Sequence, residues 1–434
     1  MARLKIKNFG PIKNGYTDSK DGFFEVGKLS IFVGEQGAGK STIAKLFSSL
    51  VWLEKAILSL GKTKSEVSTQ TYLKKLLSFH RIDSFCTDKS IVEFKDDFIK
   101  IKIADKKIDF ELLNKLEYTR PQIQYIPSER NLAGVVNRFS QLRMMPDSLQ
   151  NFLSVYDDAI RDSEMQDSDS PIGNLKVRYS KRKEKTEIYT KNYSMALDEA
   201  ASGFQSAVPL FMVTKYFSDS IKKLRNEYKF KSVSEQKKFT QEYQKLMKQM
   251  VNSYSKDLSE PFFSSSQKNE ISFSLPNGDE PLFGEPDNPN GDTFRNFVNR
   301  TINSCFYNIV EEPEQNLFPN SQKSMVLFLL RCLNENKRNS LVVTTHSPYV
   351  METINNCIYA GTLQQKGIDA KSALPISEQL NYDDVFAYAV KNGKIVSIKA
   401  DDIKQIDPSE IDECSKDIND VYSKLSDMEY GVEN

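Results

Sequence analysis

The chain of 434 residues contains only two histidines, His80 and His346. A zinc enzyme that is built on several histidine ligands is therefore excluded. Cysteine is also sparse, and the five cysteines form no CxxC pair. Their scatter predicts free thiols in a reducing cytoplasm and argues against a disulfide framework or a zinc ribbon. The cysteines are Cys86, Cys305, Cys332, Cys357 and Cys414.

Long hydrophobic runs are absent as well. No apolar run approaches the ~20 residues that are needed to cross a bilayer. The amino-terminal segment MARLKIKNFG contains no apolar stretch of the kind found in signal peptides. A hydrophobic content of 39% and a charged content of 27% are those of a soluble globular protein. We therefore expect a cytoplasmic protein with no membrane partner.

The chain also lacks a net charge, but its charges are unevenly distributed. Residues 215–256 contain eleven Lys or Arg and four Asp or Glu, whereas residues 401–434 contain eleven acidic residues and three lysines. The first segment can contact nucleic acid or an acidic partner, and the second can contact a basic one. Both segments can equally be solvated helix faces.

The pattern of apolar residues predicts alternating strands and helices, which is typical of an α/β domain. Strands are predicted at 3–9, 23–33, 122–126, 306–310 and 340–345. Helices are predicted after the loop at 34–41, at 149–161, 206–250 and 320–334, and after Pro348. Short β segments are predicted at 91–110, a basic β-hairpin at 174–193 and a loop at 275–293.

The segment GEQGAGKS matches the phosphate-loop pattern G-x-x-x-x-G-K-[ST] and lies between a predicted strand and a predicted helix. Its glycines allow backbone N–H groups to turn onto phosphate oxygens at a helix N-terminus. We expect Lys40 at the β- and γ-phosphates, Ser41 on Mg²⁺ and Thr42 near the α-phosphate; the alternative is a chance glycine-rich turn. The predicted nucleotide-binding residues here are Gly34, Glu35, Gln36, Gly37, Ala38, Gly39, Lys40, Ser41 and Thr42.

The segment NIVEEPEQNLFP, residues 308–319, is an apolar strand that ends in two carboxylates. A bound Mg-nucleotide would explain both. Glu311 is then the carboxylate on the metal side, and Glu312 is the general base that polarises the attacking water. Pro313 would end the strand and orient Glu312. The alternative is a strand that simply continues into an acidic turn.

Two further segments carry polar groups at the ends of apolar elements. In AASGFQSAVPL, Ser202 and Gly203 open a predicted helix and offer a hydroxyl and bare N–H groups, which is a second anion site. In LVVTTHSPYV, His346 follows an apolar strand and can donate a hydrogen bond to a γ-phosphate. A single histidine can instead be structural.

The order of phosphate loop, Ser-Gly segment, acidic strand and histidine resembles the ABC-type ATPase superfamily, in the branch of SMC, Rad50 and RecF proteins. The forms IPSER, EEPEQNLFP and TTHSPY look closer to the AAA_15 and AAA_21 ATPases. That group includes the ATPase half of OLD-family nucleases and ATPase subunits of bacterial anti-phage systems such as PARIS and Septu. The resemblance covers most of 1–60, 120–210 and 300–400.

The resemblance implies a homodimer or higher homo-oligomer in which two protomers sandwich two Mg-ATP molecules. ATP would close this dimer and hydrolysis would open it. Ser202 and Gly203 would contact the ATP of the opposite protomer. The other implied roles are Lys40 and Ser41 at the phosphates and Mg²⁺, Glu312 as catalytic base and His346 as γ-phosphate sensor.

Three positions depart from the family pattern. Phe204 stands where a glycine is common, which would weaken the contact across the dimer. Glu311 stands where an aspartate is more usual. No glutamine is an obvious Q-loop residue, and Gln122 and Gln124 are the candidates.

Two features of other superfamily members, a long coiled coil and a nuclease domain, are not expected in this chain. About 160 residues separate the phosphate loop from Ser202, without sustained heptads, so the long coiled coil of SMC and Rad50 is not expected. Only 88 residues follow His346, and they do not contain the strand-end Glu and the Asp-x-Asp that a Toprim nuclease domain needs. If this system cuts nucleic acid, we expect another chain to do so.

We therefore expect an α/β P-loop NTPase of the ABC/RecF/SMC type with an inserted helical subdomain. Its function would be an ATP-hydrolysing switch that gates a separate effector, a nuclease or toxin, in anti-phage defence. The alternatives are a RecF-like DNA-binding repair or replication ATPase and an ATP-bound structural scaffold. The expected parts are 1–210 and 301–400 for the ATPase domain, 211–300 for the insert and 401–434 for an acidic tail. The insert can contact DNA, RNA or a partner protein, or can only cover the nucleotide.

Overall fold

The computed structural model describes residues 1–114, 118–136, 145–227, 303–407 and 421. The strands are β1 (Ala2–Phe9), β2 (Gly15–Tyr16), β3 (Phe24–Val26), β4 (Leu29–Val33), β5 (Cys86–Lys95), β6 (Ile99–Ala104), β7 (Lys107–Leu112), β8 (Pro121–Ile126), β9 (Ser168–Asp169), β10 (Lys176–Ser180), β11 (Lys185–Tyr189), β12 (Ser194–Ala196), β13 (Cys305–Glu311), β14 (Ser340–Thr345), β15 (Val385–Lys391), β16 (Lys394–Ser397), β17 (Lys399–Ala400) and β18 (Gln405–Ile406). The helices are α1 (Lys40–Leu58), α2 (Lys64–Val67), α3 (Gln70–Ser78), α4 (Leu132–Val135), α5 (Asp147–Arg161), α6 (Ser202–Glu227), α7 (Pro319–Asn334) and α8 (Pro348–Gln365).

The central sheet has seven strands in the order β2-β16-β15-β4-β14-β13-β8. Five neighbouring strands, β15, β4, β14, β13 and β8, run parallel. The carboxyl ends of parallel strands meet at one edge of a sheet, where α/β proteins bind ligands. This edge carries the phosphate loop after β4, the histidine after β14 and the two glutamates at the end of β13.

The parallel strands are buried on both faces, as covered parallel sheets require. Leu29, Ile31 and Val33 point into a core that is completed by residues of α5, α6, α7 and α8. Phe32 points to the other face, where α1 and an antiparallel sheet form a second core. The continuous apolar run LSIFV therefore serves two cores at once.

The antiparallel sheet has five strands in the order β3-β1-β5-β6-β7. Its inner face packs on α1, and the rings of Phe47 and Phe94 lie 6.5 Å apart across this interface. The strand predicted at 3–9 and the short β segments predicted at 91–110 are confirmed.

The single strand predicted at 23–33 is wrong. The structure divides it into β3, which pairs with β1, and β4, which lies in the central sheet. Gly27 lies at the break, and a Cβ there would approach the ring of Phe386 to 2.3 Å. The chain thus passes between the sheets at a point that is too narrow for a side chain, which the apolar pattern does not reveal.

The basic hairpin predicted at 174–193 is confirmed as β10 and β11 of a four-stranded sheet. Its cations are partly neutralised within that sheet. Arg178 and Lys183 lie 2.9 and 2.8 Å from the carboxylate of Glu187, and Lys185 lies 2.7 Å from Asp198. The hydrogen bond from Lys183, followed by that from Arg178, lowers the pKa of Glu187.

The fold class predicted from the sequence, an α/β P-loop NTPase, is confirmed, and the helices predicted at 149–161, 320–334 and after Pro348 are present. The helix predicted at 206–250 begins at Ser202 and is described up to Glu227. Most of the predicted insert at 211–300, the loop at 275–293 and most of the acidic tail lie outside the described residues. Within the described ranges, no helix has the length and apolarity of a membrane span.

Candidate functional site

The loop between β4 and α1 has a backbone that only glycine adopts readily. Gly34, Gly37 and Gly39 have φ angles of 140°, 77° and 116°, which are costly for residues with a Cβ atom. A Cβ on Gly34 would lie 2.3 Å from the carbonyl oxygen of Val390, and one on Gly39 would lie 2.6 Å from Ile12. Because Gly39 caps α1 without a side chain, the first N–H groups of the helix remain available for an anion.

The other predicted loop residues lie around this backbone turn. Glu35 and Gln36 are exposed at its tip. The N–H group of Ala38 donates to the carbonyl oxygen of Glu35 at 3.3 Å. Ser41 is half-buried and Thr42 is buried, both in the first turn of α1.

Lys40 connects the phosphate loop to the end of β14. Its ammonium donates to the carbonyl oxygens of Gly34 and Glu35 at 2.7 and 2.9 Å. It also lies 3.4 Å from Nδ1 of His346. Burial lowers the pKa of Lys40, and the nearby carboxylates of Glu312, Glu314 and Glu311 oppose that effect.

His346 in turn contacts the predicted general base. Its Nε2 lies 3.2 Å from Oε1 of Glu312. An ammonium has no lone pair, so Lys40 must donate to Nδ1, and Nδ1 must be the acceptor. The proton that His346 donates to Glu312 then sits on Nε2. The hydrogen bond from His346 is the main reason why the pKa of Glu312 is lowered, which keeps this carboxylate ionised.

The backbone also orients Glu312. Strand β13 ends at Glu311, and Glu312 takes a left-handed φ of 45°, which costs roughly 1–2 kcal/mol for a residue with a Cβ atom. Its N–H group donates to the carbonyl oxygen of Thr344 at 2.8 Å. The chain therefore turns sharply at the residue whose carboxylate faces His346.

Glu311 lies deeper than Glu312 and is 2% exposed. One of its carboxylate oxygens and the hydroxyl of Thr344 are buried and make no hydrogen bond to any residue that the structure describes. No cluster of three or more His, Cys, Asp or Glu side chains that could hold a metal occurs in the described ranges. Mg²⁺ uses few protein ligands and retains phosphate and water oxygens, so the unpaired oxygen of Glu311 and the hydroxyl of Ser41 fit such a site.

Glu314 is a residue that the sequence analysis did not assign. Its Oε1 accepts the hydroxyl of Thr345 at 2.7 Å and the N–H group of His346 at 2.8 Å. Burial raises the pKa of this carboxyl group in spite of those hydrogen bonds. Glu314 thus holds the backbone on which His346 sits, and the third acid of EEPE was its only signal.

Arg130, in the segment IPSER, was not assigned either. Its side chain is 0% exposed. Its guanidinium donates to the carbonyl oxygens of both Glu311 and Glu312 at 2.6 Å. The resemblance had drawn attention to this segment, but the acceptors are backbone atoms and leave no pattern in the sequence.

The predicted Ser-Gly segment begins α6 and lies beside the turn that follows β13. Ser202 is exposed, and a Cβ on Gly203 would lie 2.8 Å from the carbonyl oxygen of Asn316. Phe204 packs against its own chain. Its ring lies so close to Gly173 that a Cβ on that glycine would be 2.9 Å away, and it also contacts the apolar core. The structure therefore gives Phe204 a contact within the protomer.

Both candidate Q-loop glutamines lie in β8, and their side chains make hydrogen bonds within the protomer. Gln122 accepts a hydrogen bond from Asn303. Gln124 is buried and donates to the carbonyl oxygen of Tyr125 at 2.9 Å. The carboxyl end of β8, which lies at the same edge of the parallel sheet as the phosphate loop, is followed by the segment that contains Arg130.

No protein-family model matches the chain, and no curated protein matches it significantly. Among solved structures, an SMC head bound to the C-winged helix domain of ScpA is 9% identical, with 92% of this chain and 98% of that chain covered and a TM-score of 0.38. The SMC head domain from Thermotoga maritima is 9% identical, with the same coverage and a TM-score of 0.33. A dimeric ATP-binding cassette in a post-hydrolysis state, bound to ADP and Pi, is 10% identical, with 91% and 96% covered and a TM-score of 0.29. At such scores the assignment of the fold rests on the strand order and the phosphate loop described above.

Proposed function

We propose that this chain is an ATPase that hydrolyses ATP to ADP and phosphate. The observation that carries this proposal is the chain of contacts from Lys40 through His346 to Glu312. Three segments that are far apart in sequence contribute these side chains, and each has the chemistry that phosphoryl transfer to water needs.

The roles of the residues follow from their contacts. The ammonium of Lys40 would exchange the carbonyl oxygens of Gly34 and Glu35 for phosphate oxygens. Ionised Glu312 would accept a proton from the attacking water at a carboxylate oxygen. His346 would share its Nε2 proton between Glu312 and an oxygen of the γ-phosphate, which would orient the carboxylate beside the reacting group. When bound between Ser41 and Glu311, Mg²⁺ would neutralise charge on the transferring phosphoryl group.

We further propose that two copies of the chain close around two Mg-ATP molecules. Ser202 is exposed at the start of α6 and therefore free to bind a phosphate of a second protomer. Its helix lies against the turn that carries Glu312, so the same edge of the protein would present both halves of a composite site. Hydrolysis would open this dimer.

The partner of such a switch would be a separate effector, a nuclease or toxin, in bacterial anti-phage defence. This part of the proposal rests on the sequence resemblance of IPSER, EEPEQNLFP and TTHSPY alone. RecF-like DNA binding and an ATP-bound scaffold are the outcomes that would replace it.

The test measures ATP hydrolysis and particle mass for wild type, Glu312→Gln and the control Glu111→Gln. Glu111 is exposed on β7 and pairs only with Lys100 in the described structure. We expect the first variant to lose about 10²- to 10⁴-fold in kcat, which is the usual contribution of a general base, and to be trapped by ATP as a dimer. The control should behave as wild type.

Other outcomes identify the alternatives. If wild type and Glu312→Gln share one mass and one negligible turnover, hydrolysis is not the work of this chain alone, and the scaffold takes first place. If duplex DNA binds tightly and only in the presence of ATP, the RecF-like function takes first place.

A further inference from the structure

Arg130 is a buried cation whose hydrogen bonds to the described residues all go to backbone carbonyl oxygens. Its Nε donates to Ser206 at 3.2 Å, and one terminal nitrogen donates to Pro127 at 3.3 Å and to Glu311 at 2.6 Å. The other terminal nitrogen donates to Glu312 at 2.6 Å. A guanidinium holds its N–H donors in one rigid plane, so it keeps the four carbonyl oxygens that accept from it in fixed positions relative to one another.

Burying the charge of Arg130 is costly, and its hydrogen-bond acceptors and nearby carboxylates offset that cost. Burial lowers the pKa of Arg130 to about 10, and the nearby carboxylates of Glu314, Glu312 and Glu311 oppose that effect. An uncompensated buried charge is expensive. The four carbonyl oxygens and the surrounding acids are what make its position tolerable.

The acceptors belong to two parts of the candidate site that are distant in sequence. Glu311 and Glu312 form the end of β13 and the left-handed turn that orients the general base. Ser206 lies in the second turn of α6, the helix that Ser202 opens. The side chain of Arg130 thus connects the turn of the proposed general base, Glu312, to the helix that would bind the ATP of the other protomer.

A second contact joins the same two parts. The side-chain amide of Asn316 donates to the hydroxyl of Ser206 at 3.1 Å. The start of α6 also packs so closely on the turn that a Cβ on Gly203 would lie 2.8 Å from the carbonyl oxygen of Asn316. With Arg130 on one side and Asn316 on the other, the turn and the helix have little freedom to move separately.

We propose that Arg130 is a positioning residue that couples the turn of Glu312 to helix α6. This inference rests on the proposed function. A shift of the turn on nucleotide binding moves α6 through the guanidinium, and docking of α6 on a second protomer orients Glu312 by the same route. The base is then fully oriented only when Ser202 is engaged, which limits hydrolysis to the closed dimer.

The test compares Arg130→Lys with Arg331→Lys. Lysine keeps the charge but loses the planar fork. Arg331 is the matched control, because it pairs with the buried carboxylate of Glu378 at 2.8 Å near the end of α7. For both variants, kcat, the Kd of a fluorescent ATP analogue and hydrogen exchange of residues 202–210 with and without ATP are measured.

We expect Arg130→Lys to lower kcat by about 10- to 100-fold, the usual effect of losing hydrogen bonds to a charged group, and to change the Kd by less than about threefold. ATP should still protect residues 34–42 in this variant but no longer residues 202–210. Arg331→Lys should retain the wild-type kcat and both protections. A parallel loss of kcat and nucleotide binding, or retained protection of 202–210, would overturn the proposal.

Two further results keep the test decisive. If Arg130→Lys does not fold, hydrogen exchange of the wild-type protein replaces it: ATP should change the protection of residues 311–317 and of residues 202–210 together, and a change in one segment without the other would contradict the coupling. If wild type binds ATP without hydrolysing it, the proposed function fails. The coupling through Arg130 is then tested by hydrogen exchange alone: ATP should protect residues 202–210 in wild type but not in Arg130→Lys.

Discussion

The two histidines of this protein occupy opposite kinds of environment. His80 is 3% exposed, lies 3.1 Å from the hydroxyl of Ser48 and packs edge-on against the ring of Tyr125 at 4.5 Å. The side chain of His346 is 32% exposed and lies between the ammonium of Lys40 and the carboxylate of Glu312. One ring has apolar neighbours and a hydroxyl, and the other has two charges.

The surroundings of each ring determine whether it can take part in chemistry at the site. Burial, with a smaller contribution from Lys45, lowers the pKa of His80 to about 3, so it is neutral at every physiological pH. It packs against Tyr125 and shares a hydrogen bond with Ser48. His346 lies at the carboxyl edge of three parallel strands, where a phosphate can reach it and where its ring connects a cation to the proposed base.

The largest expected effect comes from removing each ring in turn. His346→Ala should lower kcat by about 10- to 100-fold, because a hydrogen bond to a charged group contributes roughly 1.5–3 kcal/mol. His80→Gln should change kcat by less than about threefold. Phosphate release at saturating ATP measures both. Equal losses in the two variants would contradict this prediction, since both rings would then act through stability alone.

A second effect concerns stability and is expected for His80. Its folded pKa of about 3 lies below the ordinary value of 6.5. Between these values the unfolded chain binds one more proton than the folded chain, so the free energy of unfolding falls as the pH falls. From pH 7 to pH 5 this group should cost about 2 kcal/mol.

Chemical unfolding of wild type, His80→Gln and His346→Ala at both pH values measures this cost. We expect the decrease between pH 7 and pH 5 to be smaller in His80→Gln than in the other two proteins. If all three proteins lose the same free energy of unfolding, His80 does not resist protonation in the folded state, and the predicted effect of this histidine on stability is wrong.

The smallest effect is a shift in the pH dependence of hydrolysis. Glu312 acts as a base only when it is ionised, so kcat falls as the pH drops through its pKa. The hydrogen bond from His346 is the largest cause that lowers this pKa. His346→Ala should therefore move the acidic limb of the kcat profile to higher pH, and His80→Gln should leave it in place.

His346→Gln sharpens this last test because glutamine retains an N–H donor. Its acidic limb should lie between those of wild type and His346→Ala. An unshifted limb in His346→Ala would mean that the ring does not stabilise the ionised form of Glu312 during turnover.

Some of this site could be predicted because its chemistry is contiguous in the chain. The segment GEQGAGKS contains its glycines, lysine and serine in one loop between a strand and a helix, and φ values of 77° and 116° at Gly37 and Gly39 agree with the need for glycine there. The two glutamates at the end of an apolar strand were recognisable for the same reason. The inserted segment and the tail lie mostly outside the described residues, and their predicted roles stay predictions.

The break at Gly27 was missed because its cause lies elsewhere in the chain. Residues 23–33 read as one apolar strand, but the ring of Phe386 leaves no room for a side chain at the crossing between two sheets. A local pattern contains no information about a neighbour that is more than 300 residues away along the chain.

The phosphate loop, the pair of glutamates and the α/β alternation follow from the sequence, since each depends on residues that are adjacent in the chain. The position of β14 between β4 and β13, which brings His346 between Lys40 and Glu312, is visible only in the folded chain. The same is true of the contacts by which Arg130 joins the turn of Glu312 to α6. Its partners are backbone carbonyl oxygens, which every residue possesses, so only their positions in space distinguish them.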